Sequence, residues 1–350
     1  MKLLYFCCFV YFLTACGQYK DESLHLTGNI GELLIVADDD IWNSSEVKKA
    51  LDSSFTRYIM PYFPDVTTFE LAHRNHSTFD GGIKRHRNVL LINIIPGFTK
   101  KTAELKIIQD GWAYDQSIME INAKDKSQLI ECLKGELSDK MHAFYDENEW
   151  KRLSALFQEE ENTYVQKNIR KTFGIDIQLP DGSGIVSANK NFYRIEFPPA
   201  SRPIEFPNIG KQDVGAVWEG IMVYQYDFID SNQLSLENLL KARDTMLRYN
   251  VPHETEGLYM GTQYVKLVYP EMTSATNKSG TIKGYEMRGM FHFVGKKMHT
   301  TGGAFWAFHF VHPRSKKIIC ISGYVDAPST TSWTHFLREL QAVWKSVKII

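Results

Sequence analysis

The sequence predicts an α+β protein of two sheet-plus-helix units joined by a long helical segment, the second unit carrying a mainly antiparallel sheet covered by helices. Three observations lead there. Up to about residue 125, short apolar runs of strand length alternate with stretches of helical period. From 126 to 173 the apolar residues recur at helical spacing. From 174 to 350 strand patterns dominate, interrupted by one helix and closed by another. At 350 residues the chain can bury two such cores, and 43% hydrophobic, 23% charged and 13% aromatic residues make the composition of a folded protein. These figures exclude a disordered chain, a collagen or coiled-coil rod and a disulfide-stapled miniprotein. A net charge of −1 argues against a general nucleic-acid binder.

Residues 1–15 read as a signal peptide: Lys2 precedes eleven apolar residues, Leu3 to Leu13. That run is well short of the roughly 20 residues that span a bilayer. Leu13-Thr14-Ala15-Cys16 resembles a bacterial lipobox, which makes Cys16 the expected lipidation site and first mature residue. Residues 16–27 are a polar tether, and the lipidated cysteine anchors the chain stably to a membrane. Lys20-Asp21-Glu22 looks like a surface-export signal of Gram-negative lipoproteins but lies farther from the cysteine than usual, so the periplasmic and surface faces both stay open. The expected location is the envelope of a Gram-negative bacterium, at the outer membrane. Cys132 and Cys320 remain in the mature chain. They can bridge in an oxidising compartment or act as two buried thiols, and the absence of a spacing motif favours the thiols.

The first unit, 28–125, opens with a buried strand at Glu32–Ala37. Ser44-Ser45 can cap a helix with Val47, Leu51, Phe55 and Ile59 on one side, stopped by Pro61. Strands are expected at Thr67–His73, at Asn88–Ile95, which is the strongest signal, and within Trp112–Ile121. The connector, 126–173, carries Leu129, Cys132, Leu133, Leu137, Met141 and Phe144 at helical spacing. Asp146-Glu147-Asn148-Glu149 resembles an N-cap starting a second helix that ends at Gly174. In the last unit, 174–350, a strand from Ile175 turns at Pro180-Asp181-Gly182 and is expected to pair with Phe192–Phe197. Pro198–Asp213, with four prolines, reads as a loop. Further strands are expected at Gly220–Phe228, Tyr264–Tyr269, Lys283–Phe293, Ala304–Val311 and Lys317–Val325, with helices at Ser235–Tyr249 and about Ser332–Trp344. Phe305–Val311 is apolar on both faces and should be central and covered.

Several motifs carry a resemblance across nearly the whole mature chain. They are Gly31-Glu32-Leu33-Leu34-Ile35-Val36 with Asp40 and Trp42, His86-Arg87-Asn88, Trp112-Ala113, Ala242-Arg243-Asp244, Glu286-Met287-Arg288-Gly289, Gly302-Gly303 and the closing Val343–Lys348. With these the sequence resembles an uncharacterised family of bacterial lipoproteins known only as a domain of unknown function. The resemblance implies an envelope lipoprotein and no particular activity or cofactor. The element order from Phe173 onward also looks like the Mog1/PsbP-type α/β/α sandwich, which licenses no function.

Candidate chemistry is sparse. Asp38, Asp39 and Asp40 follow a strand and precede a helix, so they can bind a hard cation or serve helix capping and the macrodipole. The lack of an Asp-x-Asp-x-Asp-Gly loop favours capping, and no metal site is assigned. Ser45-Glu46-Val47-Lys48 matches Ser-x-x-Lys without its companion motifs. His73/His76 and His309/His312 are spaced to point to opposite faces, the pattern of satisfied core or surface residues. Lys84-Arg85-His86-Arg87 is a solvated turn or an acceptor of an acidic group. Arg243-Asp244 and Glu286/Arg288 are structural ion pairs or ligand-clamping arginines. The candidate ligand or partner contacts are therefore His86, Arg87, Arg243 and Arg288. The reading that follows is a membrane-anchored, non-catalytic envelope component that binds a protein partner or helps assemble an envelope structure. A receptor for a small or glycan ligand is the alternative, and a hydrolase the third.

Overall fold

A computed structural model describes residues 25–109, 111–159, 163–206, 211–295, 302–327 and 332–350. The signal peptide, Cys16 and Lys20–Glu22 lie outside the described residues, as does the middle of the Pro-rich segment. The molecule is a mixed α+β protein with two main sheets.

The first sheet contains β1 (Glu32–Val36), β2 (Glu70–Arg74), β3 (Asn88–Ile94), β4 (Glu104–Gln109) and β5 (Ser117–Ala123), in the order β2-β1-β3-β5-β4. All pairs are parallel except β4 with β5. Alternation along the strands divides the side chains between two faces. Leu33, Ile35, Leu90, Ile92, Met119 and Ile121 pack under helices, while Leu34, Val36, Val89 and Ile118 meet Phe79, Ile83 and Trp112 on the other side. The helices are α1 (Asp39–Trp42), α2 (Ser45–Phe55) and α3 (Lys126–Cys132), together with the first half of α4 (Gly135–Glu159). The edge strand β4 escapes the sequence pattern because its charged residues face solvent.

The second sheet runs β11-β13-β14-β15-β10-β8-β7, with β12 paired to β13 and β9 to β10. Its strands are β7 (Gly184–Asn189), β8 (Phe192–Glu196), β9 (Ala200–Phe206), β10 (Lys211–Asp227), β11 (Leu258–Thr262), β12 (Glu271–Thr276), β13 (Lys283–Gly295), β14 (Gly302–Val311) and β15 (Lys317–Asp326). All of these pairings are antiparallel. β14 is buried from Gly303 to Phe310 and paired on both sides, as its two-faced apolar pattern requires. Gly303 is needed there because a Cβ would sit 1.9 Å from the Val325 carbonyl oxygen. One face of the sheet packs under α7 (Thr334–Lys345), α5 (Thr163–Phe173) and the second half of α4, and the other under α6 (Leu236–Asn250). Ser235 caps α6 by accepting from the Asn238 amide.

The helix α4 serves both cores. Met141, Tyr145, Glu149, Leu153 and Phe157 form one i, i+4 ridge, and each is at most 2% exposed. Each step advances the ridge by about 40° at 3.6 residues per turn, so it turns through roughly 160° along its length. Its start therefore faces the first core, with Met141 and Tyr145, and its end the second, with Leu153 and Phe157.

Several expectations are corrected. Asp146–Glu149 does not begin a helix; it lies inside α4, where Glu149 and Asp146 are held by arginines. The break falls instead at Gly135, with φ of 60°. Only Ile175–Asp176 (β6) pairs in its segment, with Lys348–Ile349 (β16), and the partners of β8 are β7 and β10. Ile177 and Leu179 are buried in the core, but their stretch is tied by Gln166 to the Ile177 carbonyl and by Ser346 to the Gln178 amide. Much of Pro198–Asp213 is strand, with Pro203 tolerated on the edge strand β9. Tyr264–Tyr269 is a loop with one 3-10 turn, because β11 and β12 together occupy the free edge of β13 on either side of it.

Candidate functional site

The sequence-predicted residues end up in four separate places. Asp38, Asp39 and Asp40 are exposed at the carboxyl end of β1. Asp38 takes the N-cap position of α1 without a side-chain cap bond, which corrects the capping expectation, and Asp40 lies 3.3 Å from Lys126. Among the described residues no group of three or more His, Cys, Asp or Glu side chains can hold a metal ion. A groove of about 1020 Å³ opens nearby, lined by residues that include Lys100, Lys124, Asp125 and Gln128. Its polar groups are spent on one another: Gln128 accepts from the Lys124 amide and donates to the Lys100 carbonyl, and Lys100 pairs with Glu104.

His86 and Arg87 are not a solvated turn. His86 is 2% exposed, its Nδ1 bonded to the Asn88 carbonyl and its Nε2 3.6 Å from Glu32. Arg87 pairs with Glu149 at 2.7 Å, and Arg152 pairs with the same carboxylate. The other Glu149 oxygen accepts the Gly31 amide at 2.8 Å, while Asn88 bonds the Glu32 carbonyl and Arg152. Burial alone would raise the Glu149 carboxyl, but Arg152, Arg87 and Arg338 outweigh it and hold it at about 2. Two motifs that carry the resemblance thus meet on one buried carboxylate in α4. Arg338 of α7 adds bonds to the Thr68 carbonyl and to Asp146, and lies 4.4 Å over the Phe69 ring. This network ties the two sheets together, two arginines sharing the Glu149 carboxylate and a third taking Asp146.

Arg288 is part-buried on β13, 5.7 Å over the Trp306 ring, and makes no ion pair with Glu286; Glu286 instead accepts from Thr273 and Trp306. Two loops pack against this part of the sheet. Residues 57–68 form a small hairpin whose Tyr62 is buried and donates to the Phe305 carbonyl. The other loop runs from Gln263 to Pro270, and Pro270 abuts Gly289, the cross-strand partner of Phe305. Flanking these anchors, Met60, Phe63, Tyr264, Val265, Leu267 and Tyr269 are all exposed, from 45% to 65%. Strand-like composition in a loop was the signal for this surface, and it pointed to a strand instead.

Arg243 is fully buried under α6, in line with Leu239, Leu240 and Leu247. Its Nη1 donates to Thr262 at 2.7 Å and its guanidinium lies 3.7 Å from the Phe305 ring centroid. Asp244 does not pair with it: one oxygen accepts the Thr262 amide and hydroxyl, the other the Tyr264 hydroxyl at 2.5 Å. Arg243 Nε and Nη2, the Tyr226 hydroxyl and the Ser322 hydroxyl are buried without hydrogen-bond partners, beside a Tyr224 hydroxyl that meets the Cys320 thiol and a His309 ring that meets the Tyr285 backbone. Sheet register brings them together. Tyr224 faces Cys320 and Cys320 faces His309 in one row, with Ser322 opposite Ala307 in the next. Burial and then the Arg243 charge push His309 down to about 3, and burial pushes the Cys320 thiol up to about 12. Burial also pulls Arg243 down, with Tyr224 and Asp244 acting against it. His73 and His76 donate to the Ala37 and Ile92 carbonyls, and His312 donates to the Gly174 carbonyl and accepts from the Arg314 and Ser315 amides, as satisfied histidines. His309 is the exception. An arginine inside the apolar stripe of α6 and a histidine inside an otherwise apolar strand were the signals available for it. Cys132 and Cys320 are both free and buried, in different cores.

Two family models divide the chain, where the motifs had suggested one family throughout. A domain of unknown function (DUF8532) matches residues 27–158, and another (DUF4837) matches 162–346. No curated protein matches. The crystal structure of the Ran-binding protein Mog1p of Saccharomyces cerevisiae is similar at 14% identity over 50% of this chain and 90% of that one. Its TM-score of 0.29 is too low to carry an argument. Since the second model spans more than half of the sequence, the chain belongs to the family described as domain of unknown function DUF4837.

Proposed function

We propose that this protein is a lipid-anchored component of the bacterial envelope that binds a protein partner through the surface where residues 57–68 and 263–270 pack against the second sheet. The observation that carries the reading is the exposure of Met60, Phe63, Tyr264, Val265, Leu267 and Tyr269 around two buried anchors, Tyr62 and Val268. Exposed aromatic and aliphatic side chains in one neighbourhood are the usual mark of an interaction site. Arg288 at its border suits the pattern, since arginine and tyrosine dominate interface energetics. Anchoring rests on Leu13-Thr14-Ala15-Cys16. Among the described residues no helix is long and apolar enough to cross a membrane, so the lipid would supply the attachment.

Anchoring is tested by replacing Cys16 with serine and fractionating cells. The expected result is loss of palmitate labelling and release from the membrane pellet; an unchanged pellet would overturn it. Partner binding is tested by in-cell crosslinking of the C-terminally tagged lipoprotein, native purification and mass spectrometry. A stoichiometric partner is expected with the native chain. It should be lost in a Leu267→Asp/Arg288→Ala variant whose melting temperature is unchanged. A clean monomer, or a partner retained by that variant, would sink the proposed surface.

A further inference from the structure

We propose that the buried face under α6 binds a small oxoanion of the carboxylate type, gripped by the Nε and Nη2 edge of Arg243 and surrounded by Ser322, Tyr224 and His309. This site touches the partner surface only at Tyr264 and does not depend on partner binding. The argument starts from charge. A guanidinium that is wholly buried needs an anionic or dense acceptor environment, because an unpaired charge in a protein interior is strongly unfavourable. The nearest carboxylate, Asp244, is already saturated by Thr262 and Tyr264. Thr262 orients Arg243 through Nη1 and links it to Asp244, and Phe305 stacks against its plane, so the group is held in place with its Nε and Nη2 edge unbonded.

The edge left over is the one that matters. Nε–H and Nη2–H are parallel donors whose spacing matches the two oxygens of a carboxylate or of a larger oxoanion. The other unpaired groups in the cluster add donors, the Tyr226 and Ser322 hydroxyls, with Tyr224 and His309 beside them. A set rich in donors, around a guanidinium whose Nε and Nη2 edge is unbonded, selects an anion over a cation or a neutral apolar ligand. The middle row of the face runs Met222, Ser322, Ala307 and Met287, with Ser322 and Ala307 its two small members. Asp244 with Tyr264, which is half exposed, forms the rim.

The test uses the full-length lipoprotein in detergent. Anions released by denaturing the protein are measured by ion chromatography. Melting temperature is then followed in formate, acetate or inorganic phosphate against chloride at equal ionic strength. Either a stoichiometric released oxoanion or a rise of several degrees with one of the three is expected. Arg243→Lys should abolish the effect, and because that variant can fail to fold, Ser322→Val is the second probe. It removes a donor and fills the gap with a β-branched residue suited to a strand. Loss of the anion effect in folded Ser322→Val supports the site. No released anion and no shift in the native protein, or a shift that Ser322→Val retains, would overturn it.

Discussion

Replacing Glu149 with alanine should lower stability by roughly 3–5 kcal/mol, the range for breaking a buried ion pair by removing one partner. The variant leaves Arg87 and Arg152 facing each other without their shared carboxylate, and strips the Gly31 amide of its acceptor. The position magnifies the loss, because Glu149 is the middle member of the α4 ridge, where it passes from one core to the other. Urea denaturation at neutral pH checks this, with Glu149→Gln as the partner variant that keeps shape but not charge. A loss below about 1 kcal/mol would mean that water reaches the two arginines. The pH dependence has a definite sign as well. The folded carboxyl is depressed to about 2 from an ordinary 4.5, so its contribution is complete above 4.5 and disappears as the pH falls toward 2.

The second large effect appears at milder acidity. His309 is held to about 3 in the fold against 6.5 in the unfolded chain. Below 6.5 the unfolded state takes up a proton that the folded state refuses, so stability is full above 6.5 and drops as the pH falls toward 3. The slope is about 1.4 kcal/mol per pH unit, which gives about 2 kcal/mol by pH 5. His142, held to about 4 first by burial and next by Arg57, acts in the same direction, but its partial exposure makes its share smaller. Denaturation midpoints at pH 7, 6 and 5 should fall in the native protein and flatten markedly in His309→Phe. A midpoint independent of pH over that interval would show that His309 is protonated in the folded protein. The groups facing it are Arg243, Tyr224 and Cys320, and none of them supplies a negative charge that would hold such a proton.

The amino-acid sequence by itself determined the fold class, the strong strands at β1, β3 and β14, the capped helix α6 and the closing α7, because each is written in a local period of two or 3.6 residues. It also singled out Arg243, His86 and Arg87 as worth attention, and it alone carries the Cys16 motif. Pairing was a different matter. Nothing local in Ile175–Leu179 announces that its backbone meets the C-terminal strand and not β8, or that the outward apolar residues of Tyr264–Tyr269 lack a strand partner. Charges behaved likewise. Glu149 looked like a helix-starting acid until tertiary packing set Arg87, from a distant strand, against it. Arg243 looked like half of an ion pair with its neighbour Asp244, yet the two meet only through Thr262, whose hydroxyl accepts from Arg243 and donates to Asp244. Only the register of β10, β15 and β14 brings Tyr224, Cys320 and His309 into one row beneath Arg243. Residues some 80 to 100 positions apart share no local pattern, so a contact decided by sheet register and helix packing exists only once the chain has folded.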